Sequence, residues 1–117
     1  MKSLIITAII VSLGFCSDET LVGKWETQPS PKGNVTSMVL RPDNSFDVYI
    51  NKKAFTNGKY TYKDGVLSFT DTGCDGSPGV YKIIFFSAGD SMRFQPISDT
   101  CTERRNGMSR TIMGRVK

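Results

Sequence analysis

Residues 74–101 read CDGSPGVYKIIFFSAGDSMRFQPISDTC. The stretch predicts two β-strands, Gly79–Phe86 and Ser91–Ile97, joined by a Ser87-Ala88-Gly89-Asp90 turn. Both segments are rich in β-branched and aromatic residues and are bounded by Gly, Ser, Pro and Asp. A cysteine stands just outside each open end. In a hairpin those ends lie side by side, so Cys74 and Cys101 can close a disulfide across them. Ile84 and Phe86 fall on the opposite face from Tyr81, Ile83 and Phe85, which makes this strand apolar on both sides.

The same grammar extends outward in both directions. Leu21–Thr27 alternates, with Leu21, Gly23, Trp25 and Thr27 on one face and Lys24 and Glu26 on the other. Val35–Arg41 follows a Pro- and Gly-marked loop, and Pro42-Asp43-Asn44 is a turn that leads into Ser45–Asn51. A fourth strand, starting at Ala54 or Thr56, runs to Lys63. Asp64-Gly65 is a two-residue hairpin signal, Val66–Asp71 is the fifth strand and Thr72–Pro78 a loop. After the central hairpin, Thr100–Gly107 reads as a loop and Met108–Val116 as the last strand, with no amphipathic helix. Eight short strands with turn signals about every ten residues predict an all-β fold, an eight-stranded antiparallel up-and-down β-barrel. In such a meander the loops holding Cys74 and Cys101 fall at the same end.

Such a barrel is wide enough to be filled by side chains or to hold one small ligand. The inward positions are Trp25, Met38, Leu40, Phe46, Val48, Ile50, Tyr60, Tyr62, Leu67, Phe69, Tyr81, Ile83, Phe85, Phe94 and Ile112. Of these, Trp25, Tyr60, Tyr62, Tyr81, Phe85 and Phe94 are the candidate ligand-lining set, the tyrosine hydroxyls serving to orient a ligand's polar end. A cavity above about 300 Å³ beside the three tyrosines favours a ligand. A filled interior with an apolar patch around Ile84 and Phe86 favours a protein-interaction module, such as an envelope-complex subunit or a protease inhibitor.

Charge and composition exclude other classes. Fifteen Lys and Arg against eleven Asp and Glu give a net charge of +4, spread along the chain, which does not build a nucleic-acid surface. The chain has no histidine, so the usual general base, zinc ligand and pH switch are all missing. No catalytic residue, metal site or cofactor site is predicted, and the protein reads as a non-enzyme.

Residues 1–16, MKSLIITAIIVSLGFC, carry Lys2 ahead of an apolar run too short to span a bilayer and suited to a signal peptide. Leu13-Gly14-Phe15-Cys16 resembles the lipobox of bacterial lipoproteins, with Phe15 where a small residue is usual; ordinary signal-peptidase cleavage nearby is the alternative. Lipidation at Cys16 would anchor an exported chain to a membrane, and Ser17-Asp18-Glu19 resembles the acidic tag of some outer-membrane lipoproteins. Residues 17–20 then form a tether to a domain spanning 21–117. With Cys16 acylated or removed, Cys74 and Cys101 remain as a pair for an oxidising compartment.

Taken together, Gly23-x-Trp25, Leu40-x-x-Asp43-Asn44-x-Phe46, Gly79-x-Tyr81 and Asp99-x-Cys101-x-x-Arg104 resemble the small bacterial lipocalin-like domains of exported proteins and lipoproteins. The resemblance covers about Leu21 to Val116. It implies a calycin-type barrel with one disulfide, no enzymatic activity, and an arginine of the last strand, Arg115, packed over Trp25. It also pairs Asp99 with Arg104 as a brace for the disulfide loop. The chain is much shorter than a lipocalin, and its sequence shows no counterpart of the helix that packs against that barrel.

Overall fold

The computed structural model describes residues 21–117; the leader, Cys16 and the tether lie outside the described residues. Eight antiparallel strands close into a barrel in chain order. They are β1 (Gly23–Glu26), β2 (Thr36–Leu40), β3 (Ser45–Ile50), β4 (Lys53–Lys63), β5 (Val66–Asp71), β6 (Gly79–Phe86), β7 (Ser91–Asp99) and β8 (Ile112–Arg115). Closure comes from β1, where Trp25 stands opposite Met38 of β2 on one side and Arg115 of β8 on the other. Pairing every strand on both sides leaves no open sheet edge of the kind that recruits other chains.

Local chemistry sets the turns. Asp64 and Gly65 both adopt left-handed backbone (φ 53° and 79°), as a two-residue hairpin whose twist matches its strands requires. Asn51 and Lys52 do the same (φ 53° and 70°), so β4 begins at Lys53, earlier than the sequence reading placed it. Gly58 has a different role. A Cβ there would come within 1.9 Å of the Thr70 carbonyl oxygen, so β4 and β5 approach as closely as they do only because the side chain is absent.

The up-and-down order sends the 27–35, 51–52, 72–78 and 100–111 connections to one end of the barrel and both described termini to the other. At the terminal end Trp25 is fully buried and its indole N–H donates to the Leu21 carbonyl at 3.0 Å. The Arg115 guanidinium lies 4.3 Å from the centre of the Trp25 ring and donates to the Val22 carbonyl at 3.2 Å. That cation–π contact seals the floor and contributes about 0.5–2 kcal/mol. Above it the core continues through Leu40, Phe46, Phe69, Tyr81, Met92 and Phe94, with Phe69 stacked on Tyr81 at 5.9 Å and Phe94 edge-on to Tyr81 at 6.4 Å.

Four expectations are corrected. Residues read as loop and strand form a helix, α1 (Thr102–Ser109), and the last strand shortens to Ile112–Arg115. No residue of α1 is fully buried and only Met108 packs against the core, so the segment carries no apolar periodicity. Ile112 is 55% exposed and its neighbour Met113 points inward instead, because Met113 pairs with buried Met92 while Ile112 pairs with outward Arg93. Ile50, at the mouth of the barrel, is only half-buried. The two-sided β6 is milder than its sequence suggested: Ile84 is half-buried and Phe86 is 39% exposed.

Candidate ligand-binding cavity

Side chains fill the barrel unevenly. Trp25, Tyr81, Ile83, Phe85 and Met92, from β1, β6 and β7, pack one side, and a cavity of about 160 Å³ remains along β2–β5. Its deep wall is Met38, Leu40, Phe46, Val48, Leu67, Phe69, Phe94 and Met113. Toward the end crossed by α1 it is bounded by Thr36, Phe55, Thr56, Asp71, Arg104, Met108 and Thr111. The interior wall is hydrocarbon, sulfur and aromatic ring, with Tyr60 the one polar-tipped side chain among them. That hydroxyl turns away, donating to the Arg41 carbonyl at 2.7 Å. Burial, with Asp43 nearby, pushes the Tyr60 hydroxyl above the ordinary tyrosine range.

A β-bulge shapes the mouth. Val48 pairs with Thr56 but Tyr49 pairs with Ala54, so Phe55 is an extra residue in β4. In a regular strand Phe55 and Thr56 would point to opposite faces; here both line the cavity. Phe55 is 66% exposed, a large apolar ring held in water at the entrance.

The opposite rim is held by ions. Arg104, on the first turn of α1, grips Asp99 with two charge-assisted hydrogen bonds, Nη2 to Oδ1 at 2.8 Å and Nε to Oδ2 at 2.9 Å. Its Nη2 also donates to the Ser77 carbonyl at 3.0 Å, Nη1 faces Asp71 at 3.5 Å, and the guanidinium sits 5.0 Å from the Phe69 ring centre. Asp99 is fully buried and also accepts from the Tyr81 hydroxyl and from the Cys101 N–H at 2.9 Å. Burial alone would raise this carboxyl. The hydrogen bonds from Arg104, Tyr81 and Cys101, with the Arg104 charge, outweigh it and hold the group at about 2. Burial, reinforced by the Asp99 carboxylate, drives the Tyr81 hydroxyl far above its usual range. The Cys74–Cys101 disulfide ties the 72–78 loop to the start of α1 beside this cluster.

Of the six residues singled out as ligand-lining, Tyr60 and Phe94 line the cavity; Trp25, Tyr62, Tyr81 and Phe85 do not. Trp25 and Phe85 pack on each other at 6.2 Å between ring centres, Tyr81 belongs to the Asp99 cluster, and Tyr62 is a half-buried neighbour of the core. Gly23, Trp25 and Arg115 meet at the floor: a Cβ on Gly23 (φ 137°) would lie 3.2 Å from the Arg115 guanidinium. Asp99 and Arg104 meet at the rim. Phe55, Met108, Met113 and the three threonines had not been singled out. The one advance signal was Phe55, a large apolar residue on the solvent phase of β4.

At about 160 Å³ and beside only Tyr60 of the three tyrosines, the cavity falls short of the space above about 300 Å³ expected for a drug-sized ligand. An engineered apolar cavity of about 150 Å³ stays dry and takes benzene or xenon, so this volume suits roughly six carbon atoms. Among the described residues no His, Cys, Asp and Glu cluster could hold a metal ion. Comparison with protein-family models gives no match, and comparison with curated proteins gives none either.

Proposed function

We propose that this chain is an exported, lipocalin-like binding protein that takes a small apolar molecule, or the apolar end of one, into its barrel without chemical change. The observation that carries the reading is the cavity itself: about 160 Å³ of mostly apolar space inside the barrel, with exposed Phe55 at its mouth. Protein interiors normally leave few voids larger than a water molecule, and each costs stability. A void of this size whose exposed lining is almost wholly apolar is suited to a hydrocarbon guest.

Export rests on the signal-peptide pattern of residues 1–16 and fits a disulfide, which persists in oxidising compartments. Acylation at Cys16 would tether the barrel to the outer membrane through the four residues 17–20, and Leu21, the first described residue, lies at the floor of the barrel. The mouth would then face away from the membrane. Native mass spectrometry of the protein from its host tests both halves of the reading. The expected spectrum shows an acyl mass on Cys16 and a retained small molecule that is lost in Leu67→Phe, a substitution that fills the cavity. A ligand-free spectrum for both forms would remove the binding half, and an unmodified Cys16 the anchoring half.

A further inference from the structure

We propose that the cavity and the open groove beside it are two halves of one site, built for a single-tailed amphiphile with an anionic head. About six carbons of tail enter the barrel and the head lies against Arg110. The inference rests on the binding reading above and adds to it the chemistry of the ligand.

The interior cannot take a charged head. Its only cation, Arg104, is spent on Asp99, Ser77 and Asp71, and an anion there would have to displace a fully buried carboxylate. Cutting one partner out of a buried pair is strongly unfavourable. A polar head must therefore leave by the mouth. Directly outside lies a groove of about 590 Å³ between the 27–35 loop and the end of α1. Thr36 and Thr111 line both hollows, so the two lie on either side of these side chains.

The groove differs from the cavity in carrying a charge. Gln28, Ser30 and Asn34 add uncharged hydrogen-bonding groups to a wall that also holds Ile50 and Ile112, and Arg110 is its one charged residue. No carboxylate lines it, and among the described residues Arg110 forms no ion pair. The loop wall is fixed by its own bonds: Gly33 N–H to the Ser30 carbonyl at 2.8 Å, Val35 N–H to the Asn51 side chain at 2.9 Å, and the Asn51 amide to the Asn34 side chain at 2.9 Å. A hydrocarbon slot beside a mixed groove with a single cation matches a molecule with an apolar tail and one anionic group. Of the arginines on α1 and at its end, Arg105 lines neither hollow.

The test is calorimetric titration of the intact chain with hexanoate, hexan-1-ol and benzene, at low and high salt, on wild type, Arg110→Gln and Arg105→Gln. An exposed ion pair is worth up to about fivefold in affinity. Hexanoate should therefore bind roughly three- to fivefold more tightly than hexan-1-ol at low salt, and the margin should shrink as salt is added. Arg110→Gln should erase the margin and leave benzene unchanged; Arg105→Gln should change neither. Equal binding of acid and alcohol, or a margin that survives Arg110→Gln, overturns the amphiphile inference and leaves apolar binding standing. Failure of benzene, alcohol and acid alike overturns the binding reading as well.

Discussion

Replacing Asp99 by Asn removes one charge from the centre of the rim without changing side-chain size. In the native protein this carboxyl is held at about 2, against 3.8 for an ordinary aspartate, so the folded state binds its proton about sixtyfold more weakly than the unfolded chain. That difference is about 2 kcal/mol of stability at neutral pH. Asn adds a second cost, because its NH₂ must face one of three donors, the Arg104 guanidinium, the Tyr81 hydroxyl or the Cys101 N–H. A buried donor left without an acceptor costs about 1–3 kcal/mol. The expected loss is therefore about 3–5 kcal/mol, in the range for breaking a buried pair.

The sign of the pH dependence follows from the lowered pKa. Between the unfolded and folded values the unfolded chain holds more protons, so this contribution is complete above about pH 5 and is lost as pH falls toward 2. Urea unfolding of wild type and Asp99→Asn at a series of pH values reads both effects. Wild type should lose about 2 kcal/mol more than the variant between pH 5 and pH 2. A variant within about 0.5 kcal/mol of wild type at pH 7, or two acid limbs that run parallel, would refute the assignment of Asp99 as the buried centre of the rim.

Three further outcomes are expected. Cys74→Ser with Cys101→Ser should lower stability by roughly 3–4 kcal/mol in denaturant unfolding, because the bridge closes a loop with a sequence separation of 27, and added reductant should bring wild type to the same midpoint. Gly58→Ala should destabilise by about 1–3 kcal/mol, since its Cβ meets Thr70 backbone, which cannot swing aside; hydrogen exchange should quicken first at the β4–β5 pairs. Arg115→Met should cost about 1–2 kcal/mol through the lost Trp25 contact and Val22 bond, read as a lower thermal midpoint with an altered tryptophan emission.

Strands were legible where one face is apolar and turns carry Gly, Asp or Asn. Gly79–Phe86 and Val66–Asp71 match the structure at both ends, and the same-end placement of Cys74 and Cys101 followed from the strand count alone. Features held by single tertiary contacts were not legible. The helix α1 is fixed by a disulfide at its start, Arg104 on Asp99, and Met108 on the core, and none of these leaves a periodic trace. Adjacent apolar residues hid the phase of β8, since Ile112 and Met113 could each have been the inward one. The cavity was misplaced for a related reason. Tyrosine hydroxyls look available in a sequence, yet Tyr60 and Tyr81 spend theirs on the Arg41 carbonyl and Asp99. The bulge that turns Phe55 into the mouth depends on strand register, which no local pattern records.

The chain's own methionines give the most direct test of a binding cavity. Met38, Met108 and Met113 line it; Met92 is fully buried but lies outside it. A binding cavity predicts, in a methyl-labelled NMR titration with benzene, saturable shifts at Met38, Met108 and Met113, with Met92 left in place. Methyl signals that stay fixed throughout, or shifts at Met92 equal to those of the other three, would contradict it.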